Sequence, residues 1–254
     1  MRHALALLLL AAGCATPSAP STAARRVAKG PWPEVPAVEM PTGDTSIPIS
    51  LLRDVADALL ERPGAKVCDP VTQRPIMGLS TEYCSTIYVA GDRDSLSWRV
   101  TEPSQGTHNS CRPSFAVEDD DHPASRVWVV GYIHNHVCGA PPSSLDLAAW
   151  PTDAFDAYVA MAEVRLIPGN GQPGNPAPAA YKNTGIELAS AIVAERQDGT
   201  RVYLRYFPTG EVQQWSNARA GWVTLGSCAP RQLDSRNRAR PPQCSPEPLQ
   251  LLRE

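Results

Sequence analysis

Residues 126–136 read RVWVVGYIHNH, an apolar run of Val, Trp, Tyr and Ile that ends abruptly in His134-Asn135-His136. β-Branched and aromatic residues favour extended backbone, and a nearly continuous apolar run marks a strand covered on both faces. The stretch is therefore read as the central strand of a sheet. Side chains alternate along a strand, so the two imidazoles point the same way at its end. That is the arrangement two ligands of one metal ion require.

Working outward, residues 49–60 (ISLLRDVADALL) place Leu51, Leu52, Val55, Leu59 and Leu60 at helical spacing, and Pro63-Gly64 stops the helix. Residues 77–90 and 95–101 are rich in β-branched and aromatic side chains around Gly91-Asp92-Arg93-Asp94, which predicts a hairpin. A second hairpin is expected from 202–207 and 211–215 around Pro208-Thr209-Gly210. Between them, a short helix follows Ser143 as far as Trp150, a helical segment spans 152–162, a strand 163–167 and an exposed loop 169–178. Together these elements predict a mixed α/β or α+β fold, a central mixed sheet flanked by helices, as one domain over residues 46–228.

The chemistry-bearing residues gather after the central strand. Asp146, in Ser143-Ser144-Leu145-Asp146, lies ten positions beyond His136, where a helix start returns a carboxylate over the strand end. Two imidazoles and one carboxylate leave a fourth tetrahedral position for water, the open type of zinc site. Ser143 and Asp146 also have the spacing of a capping box, and that reading stands beside the metal reading.

Upstream Glu, His-x-His and Ser-x-x-Asp, in that order, resemble the signature of the JAMM (MPN-plus, JAB-like) metallopeptidases over residues 49–167. The resemblance implies a cytidine-deaminase-like α/β fold, Zn2+ held by His134, His136 and Asp146, Ser143 assisting the oxyanion, and Glu82 as the acid/base group. Glu82 is selected from Glu61, Glu102 and Glu118 by its place on a strand after the first helix. Two departures from the family pattern fall in the ligand loop: nine residues separate His136 from Asp146 instead of ten, and Val137 stands where Pro is common. The activity implied is hydrolysis of amide or isopeptide bonds in a peptide or protein of the envelope or its surroundings. The alternative is a metal-free relative that serves as a binding or structural lipoprotein.

At the N-terminus, Arg2 and His3 precede an apolar run from Ala4 to Ala12, followed by Gly13-Cys14. This resembles a bacterial lipoprotein signal, so residues 1–13 are expected to be removed and Cys14 lipidated. The expected location is the cell envelope, with membrane attachment through lipid alone. Residues 14–45, rich in Pro, Ala, Ser and Thr, read as a tether without secondary structure, and 229–254 as a Pro/Arg-rich tail containing Arg231, Arg236, Arg238 and Arg240.

Six cysteines remain: Cys68, Cys84, Cys111, Cys138, Cys228 and Cys244. An even count in an exported chain predicts disulfides, with Cys228–Cys244 the preferred local pair and Cys111 a plausible partner of Cys138. Cys138 alternatively offers a ligand or a thiol nucleophile. His108 and His122 read as solvated, and the acidic run Glu118-Asp119-Asp120-Asp121 as a solvated turn without the Gly and alternation of a calcium loop. Twenty-six Pro and 17 Gly exclude a long-helix protein, and a net charge of −3 leaves no general positive field for nucleic acid.

Overall fold

A computed structural model describes residues 27–147, 187–229 and 243–254, apart from the single positions 43, 93, 115, 140 and 208. In sequence order the described elements are β1 (Val27–Gly30), β2 (Val38–Glu39), α1 (Ile49–Leu60), β3 (Tyr83–Asp92), β4 (Ser95–Val100), β5 (Ser104–Gln105), β6 (Ala116–Asp119) and β7 (Val127–His136). Then follow α2 (Ser144–Leu147), β8 (Ser190–Glu195), β9 (Arg201–Tyr206), β10 (Glu211–Ser216), β11 (Gly221–Ala229) and β12 (Gln243–Ser245). Strands dominate this mixed α/β fold. Ten of them form one sheet in the order β12-β11-β10-β9-β8-β7-β3-β4-β2, with β5 added against β3.

The apolar run is an interior strand, as its composition predicts: β7 pairs antiparallel with β3 and parallel with β8. One face of the sheet receives α1, whose Leu51, Leu52, Val55 and Leu59 are fully buried together with Ile87, Val130 and Ile133. The other face buries Tyr88, Val129, Tyr132, Ile192 and Leu204. Packing on both sides is what lets a strand dispense with polar residues.

A bulge decides which side chain of β7 meets which face. Ile87 opposes Gly131 and Tyr88 opposes Val129, so Val130 is an extra residue in the ladder. Val127 and Val129 face the second cluster and Val130 the α1 side, yet after the bulge it is Tyr132 that joins the second cluster and Ile133 that faces α1. His134 and His136 therefore share the face of Tyr132, away from α1. Glycine is required at the bulge because a Cβ on Gly131 would overlap the backbone carbonyl oxygen of Ala189. Gly131→Ala is expected to push β7 and β8 apart and cost about 1–3 kcal/mol in chemical denaturation. An unchanged midpoint would mean that the two strands are not tightly seated there.

Both ends of the fold extend beyond 46–228. Part of the expected tether, from residue 27 to 39, is structured: β1 pairs parallel with β6 and β2 antiparallel with β4. Trp32 and Val35 are buried at 2% and 4% exposure, with the Arg62 guanidinium 5.1 Å over the Trp32 ring. A single large aromatic side chain anchors this Pro-rich stretch without any repeating apolar period. The C-terminal stretch read as a tail is likewise structured from residue 243: β12 pairs with β11, Leu249 is buried, and the Glu254 carboxylate accepts hydrogen bonds from Ser216 Oγ and the Asn217 amide.

Both predicted hairpins form, with β3 running Tyr83–Asp92 instead of 77–90. Residues 76–80 make a turn held by Ser80, whose hydroxyl donates to Val67 O at 2.5 Å and accepts from the Ile76 amide at 2.6 Å. The helix after Ser143 is described over Ser144–Leu147 only. The segments expected at 152–162, 163–167 and 169–178, the arginines 231–240 and the first 26 residues, Cys14 included, lie outside the described residues.

Three disulfides form: Cys68–Cys138, Cys84–Cys111 and Cys228–Cys244. They fit an oxidising, extracytoplasmic compartment. Among the described residues no helix is long and apolar enough to cross a membrane.

Candidate metal centre

At the end of β7, His134, His136 and Asp146 converge. His134 Nε2 lies 3.0 Å from Asp146 Oδ1, and His136 Nε2 lies 3.1 Å from Asp146 Oδ2. All three residues are buried, at 2%, 6% and 8% exposure. The nine-residue loop between His136 and Asp146 delivers the carboxylate to both imidazoles. It does so through a reciprocal cap: the Ser143 amide donates to Asp146 Oδ2 at 2.6 Å, and the Asp146 amide donates to Ser143 Oγ at 3.3 Å. The capping box and the three-residue cluster are thus the same structure seen from two sides, since the cap aims the carboxylate.

Burial would raise the Asp146 pKa, but the two imidazoles outweigh it and hold the carboxyl far below the usual range. Burial lowers the His134 pKa, with Asp146 opposing. The His134 Nε2 faces the Asp146 carboxylate at 3.0 Å.

Glu82, expected on the strand itself, stands immediately before β3 and is buried at 8% exposure. Its backbone pairs with the 106–107 segment, the amide donating to Thr107 O and the carbonyl accepting from the Gly106 amide. Burial pushes its carboxyl up to about 7, with His136 opposing and Asp146 adding to the rise. The group is therefore poised to exchange a proton near neutral pH.

Asn135 is the functional residue that the strand pattern leaves unnoticed. Fully buried on the opposite face from the imidazoles, it accepts from the Tyr83 amide at 2.7 Å and donates to Thr81 O at 3.1 Å and Ala65 O at 2.9 Å. It thereby grips the residues on both sides of Glu82. A polar residue at the end of an otherwise apolar strand was the available signal, but its partners lie more than 50 positions away.

Glu82, the two histidines, Ser143 and Asp146 line one cavity of about 710 Å³, together with Tyr132, Gln73, Pro75 and residues 109–113. Two disulfides pin its walls. Cys138 pairs with Cys68 and not with Cys111, because the turn after β7, where Cys138 has φ 71°, faces the 65–75 loop that Asn135 also holds. Cys111 pairs instead with Cys84, since β5 lies along the start of β3 and brings the following loop over it. As a disulfide partner, Cys138 supplies neither a ligand nor a thiol nucleophile, and the cavity stays open beside the bridge.

A second group with ligand-type atoms, Asp119, Asp121 and His122, is committed elsewhere. Asp119 is buried, contrary to its reading as part of a solvated turn. It accepts from Tyr88 Oη at 2.6 Å and pairs with Arg99 at 3.2 Å, while His122 Nδ1 approaches it at 2.9 Å. A cation already fills that position.

No protein-family model matches this sequence, and comparisons with curated proteins and with solved structures yield no match.

Proposed function

We propose that this protein is an exported, lipid-anchored zinc hydrolase of JAMM-like fold that cleaves amide or isopeptide bonds. The observation that carries the reading is the convergence of His134, His136 and Asp146 at the floor of a cavity that Glu82 also lines.

Two imidazoles and a carboxylate are a donor set of the kind zinc takes. Ligand atoms at 2.0–2.2 Å from a tetrahedral ion stand about 3.3–3.6 Å apart, and the imidazoles lie 3.0 and 3.1 Å from the two oxygens of Asp146, Oδ1 and Oδ2 respectively. An ion between them would take His134 Nε2 and His136 Nε2, which face the carboxylate, and the Ser143 amide on Asp146 Oδ2 is the kind of contact that orients a ligating carboxylate. When bound, zinc lowers the pKa of water to near 7 and polarises the substrate carbonyl.

The protein's own groups supply the rest. Glu82 accepts a proton from the attacking water as the C–O bond forms. The same carboxyl then delivers that proton to the departing nitrogen as the C–N bond breaks, so the products are an acid and an amine. Ser143 Oγ receives the Asp146 amide hydrogen, which leaves its own hydroxyl hydrogen for the developing oxyanion. Asn135 holds Glu82 in place from behind the strand.

Elemental mass spectrometry of the purified protein is expected to find about one zinc per molecule, lost when His134→Ala and His136→Ala are combined. No zinc after supplementation would sink the reading and favour a binding lipoprotein. Export and anchoring through Cys14 predict that a Cys14→Ser protein partitions into the aqueous phase of a detergent extraction while the native protein follows detergent.

A further inference from the structure

We propose that Arg112 is a specificity residue of this cavity, and that the ligand it selects is a peptide carrying a carboxylate close to the amide bound at the metal centre. What happens after binding rests on the hydrolytic reading above; the recognition itself rests on the cavity wall.

Among the described residues that line the cavity, Arg112 is the one Arg or Lys. The two carboxylates that share the cavity do not neutralise it. Asp146 is taken by His134, His136 and the Ser143 amide, and Glu82, buried at 8% exposure, forms no ion pair with Arg112. Among the described residues, the guanidinium has no hydrogen-bond or ion-pair partner. Among the described residues, Arg99 is paired with Asp119 and Asp121, and Arg201 with Asp57 and Glu195.

The backbone that carries Arg112 is held firmly. Cys111 is bridged to Cys84 on β3, and the Arg112 carbonyl accepts from Ser104 Oγ at 3.0 Å. The facing wall is equally fixed. Cys68–Cys138 ties down a turn in which Asp69 Oδ1 accepts from the Val71 and Thr72 amides at 2.8 Å, and this turn presents Gln73 and Pro75 to the cavity. The Arg112 side chain itself is exposed on this fixed stretch of backbone, so its guanidinium can turn to a carboxylate at the cavity mouth, where a planar fork of donors matches the two oxygens. Such a carboxylate belongs either to an Asp or Glu side group or to the C-terminus of the peptide, and the test separates these sources.

The full-length protein is titrated calorimetrically with three acetylated peptides: Ala-Ala-Glu amide, Ala-Ala-Ala free acid and Ala-Ala-Ala amide. Wild type is expected to bind at least one acidic peptide about ten- to a hundredfold more tightly than the neutral one, the range of a charge-assisted hydrogen-bonded pair. Preference for the first identifies an acidic side group, and preference for the second a peptide terminus. Arg112→Gln is expected to abolish the preference with zinc content and melting temperature unchanged. Equal binding of all three peptides by wild type, undetectable binding of both acidic peptides, or a preference that survives Arg112→Gln would each overturn the proposal. Absence of zinc from the wild-type protein would overturn the hydrolytic reading alone, since the peptide preference is read on metal-free protein as well.

Discussion

Glu82→Gln is expected to lower the rate of peptide-bond hydrolysis by about 10²–10⁴ while the zinc content stays at the wild-type value. The carboxyl lines the same cavity as the cluster of His134, His136 and Asp146 but stands outside that cluster, so on the proposed reading its removal takes away proton transfer and leaves the three candidate ligands alone. Zinc lost together with activity would mean that Glu82 holds the metal or its ligands instead. The same variant carries a pH signature in the metal-free state. Burial disfavours the ionised carboxyl, so the folded protein holds this proton more tightly than the unfolded one does. The stabilisation is full below the ordinary value of 4.5 and is lost as pH rises through about 7. Metal-free Glu82→Gln, which cannot ionise, is therefore expected to match wild type near pH 4 and to exceed it by about 1–3 kcal/mol at pH 8. Equal denaturation midpoints at both pH values would show a solvated carboxyl.

Replacing Cys68 and Cys138 together by Ser is expected to cost about 4 kcal/mol by the loop-closure relation, the bridge spanning 70 residues of sequence. Zinc affinity should fall as well, by roughly 10–100-fold, as it does when contacts behind metal ligands are lost. The reason is position: Cys138 lies between His136 and Asp146, so the bridge fixes the loop that delivers Asp146 to the two imidazoles. The comparison is the pair Cys228→Ser and Cys244→Ser, whose bridge spans 16 residues and joins β11 to β12 far along the sheet from the cluster. That pair should lose about 3 kcal/mol with zinc affinity intact. Equal zinc affinities in both double variants would separate the Cys68–Cys138 bridge from the metal centre.

Much of this architecture was legible in local patterns. The leucines of residues 49–60 recur with helical period because one face must be dry, and α1 follows within the same bounds. The apolar run before His134 announces an interior strand, and the Gly-containing breaks at 91–94 and 208–210 announce two hairpins. The Cys228–Cys244 pairing was legible for a similar reason, since its partners are near in sequence and flank a stretch with little else to hold it.

What failed to show locally depends on partners far away. Strand β8 was not anticipated, and it is the parallel neighbour of β7 more than 50 positions later. Trp32 lies in a segment without apolar period, and only the pocket under Arg62 explains its burial. The partner of Cys138 could not be read from spacing, because the choice between Cys68 and Cys111 depends on which loop lies across the turn after β7.

By itself the sequence determined a mixed α/β fold around a central sheet, an even set of six cysteines, and the order Glu82, His134, His136, Ser143 and Asp146. Residue type and period carry that information because alternation, capping and turn chemistry act over a few neighbouring residues. Tertiary structure decided whether those five residues meet. The bulge at Val130-Gly131 sets the face on which the imidazoles stand, the Ser143 cap turns Asp146 back over both, and Asn135 and β5 draw Glu82 into the same cavity. Each of these is a contact between segments whose separation in space is fixed by packing, and local sequence holds no record of that distance.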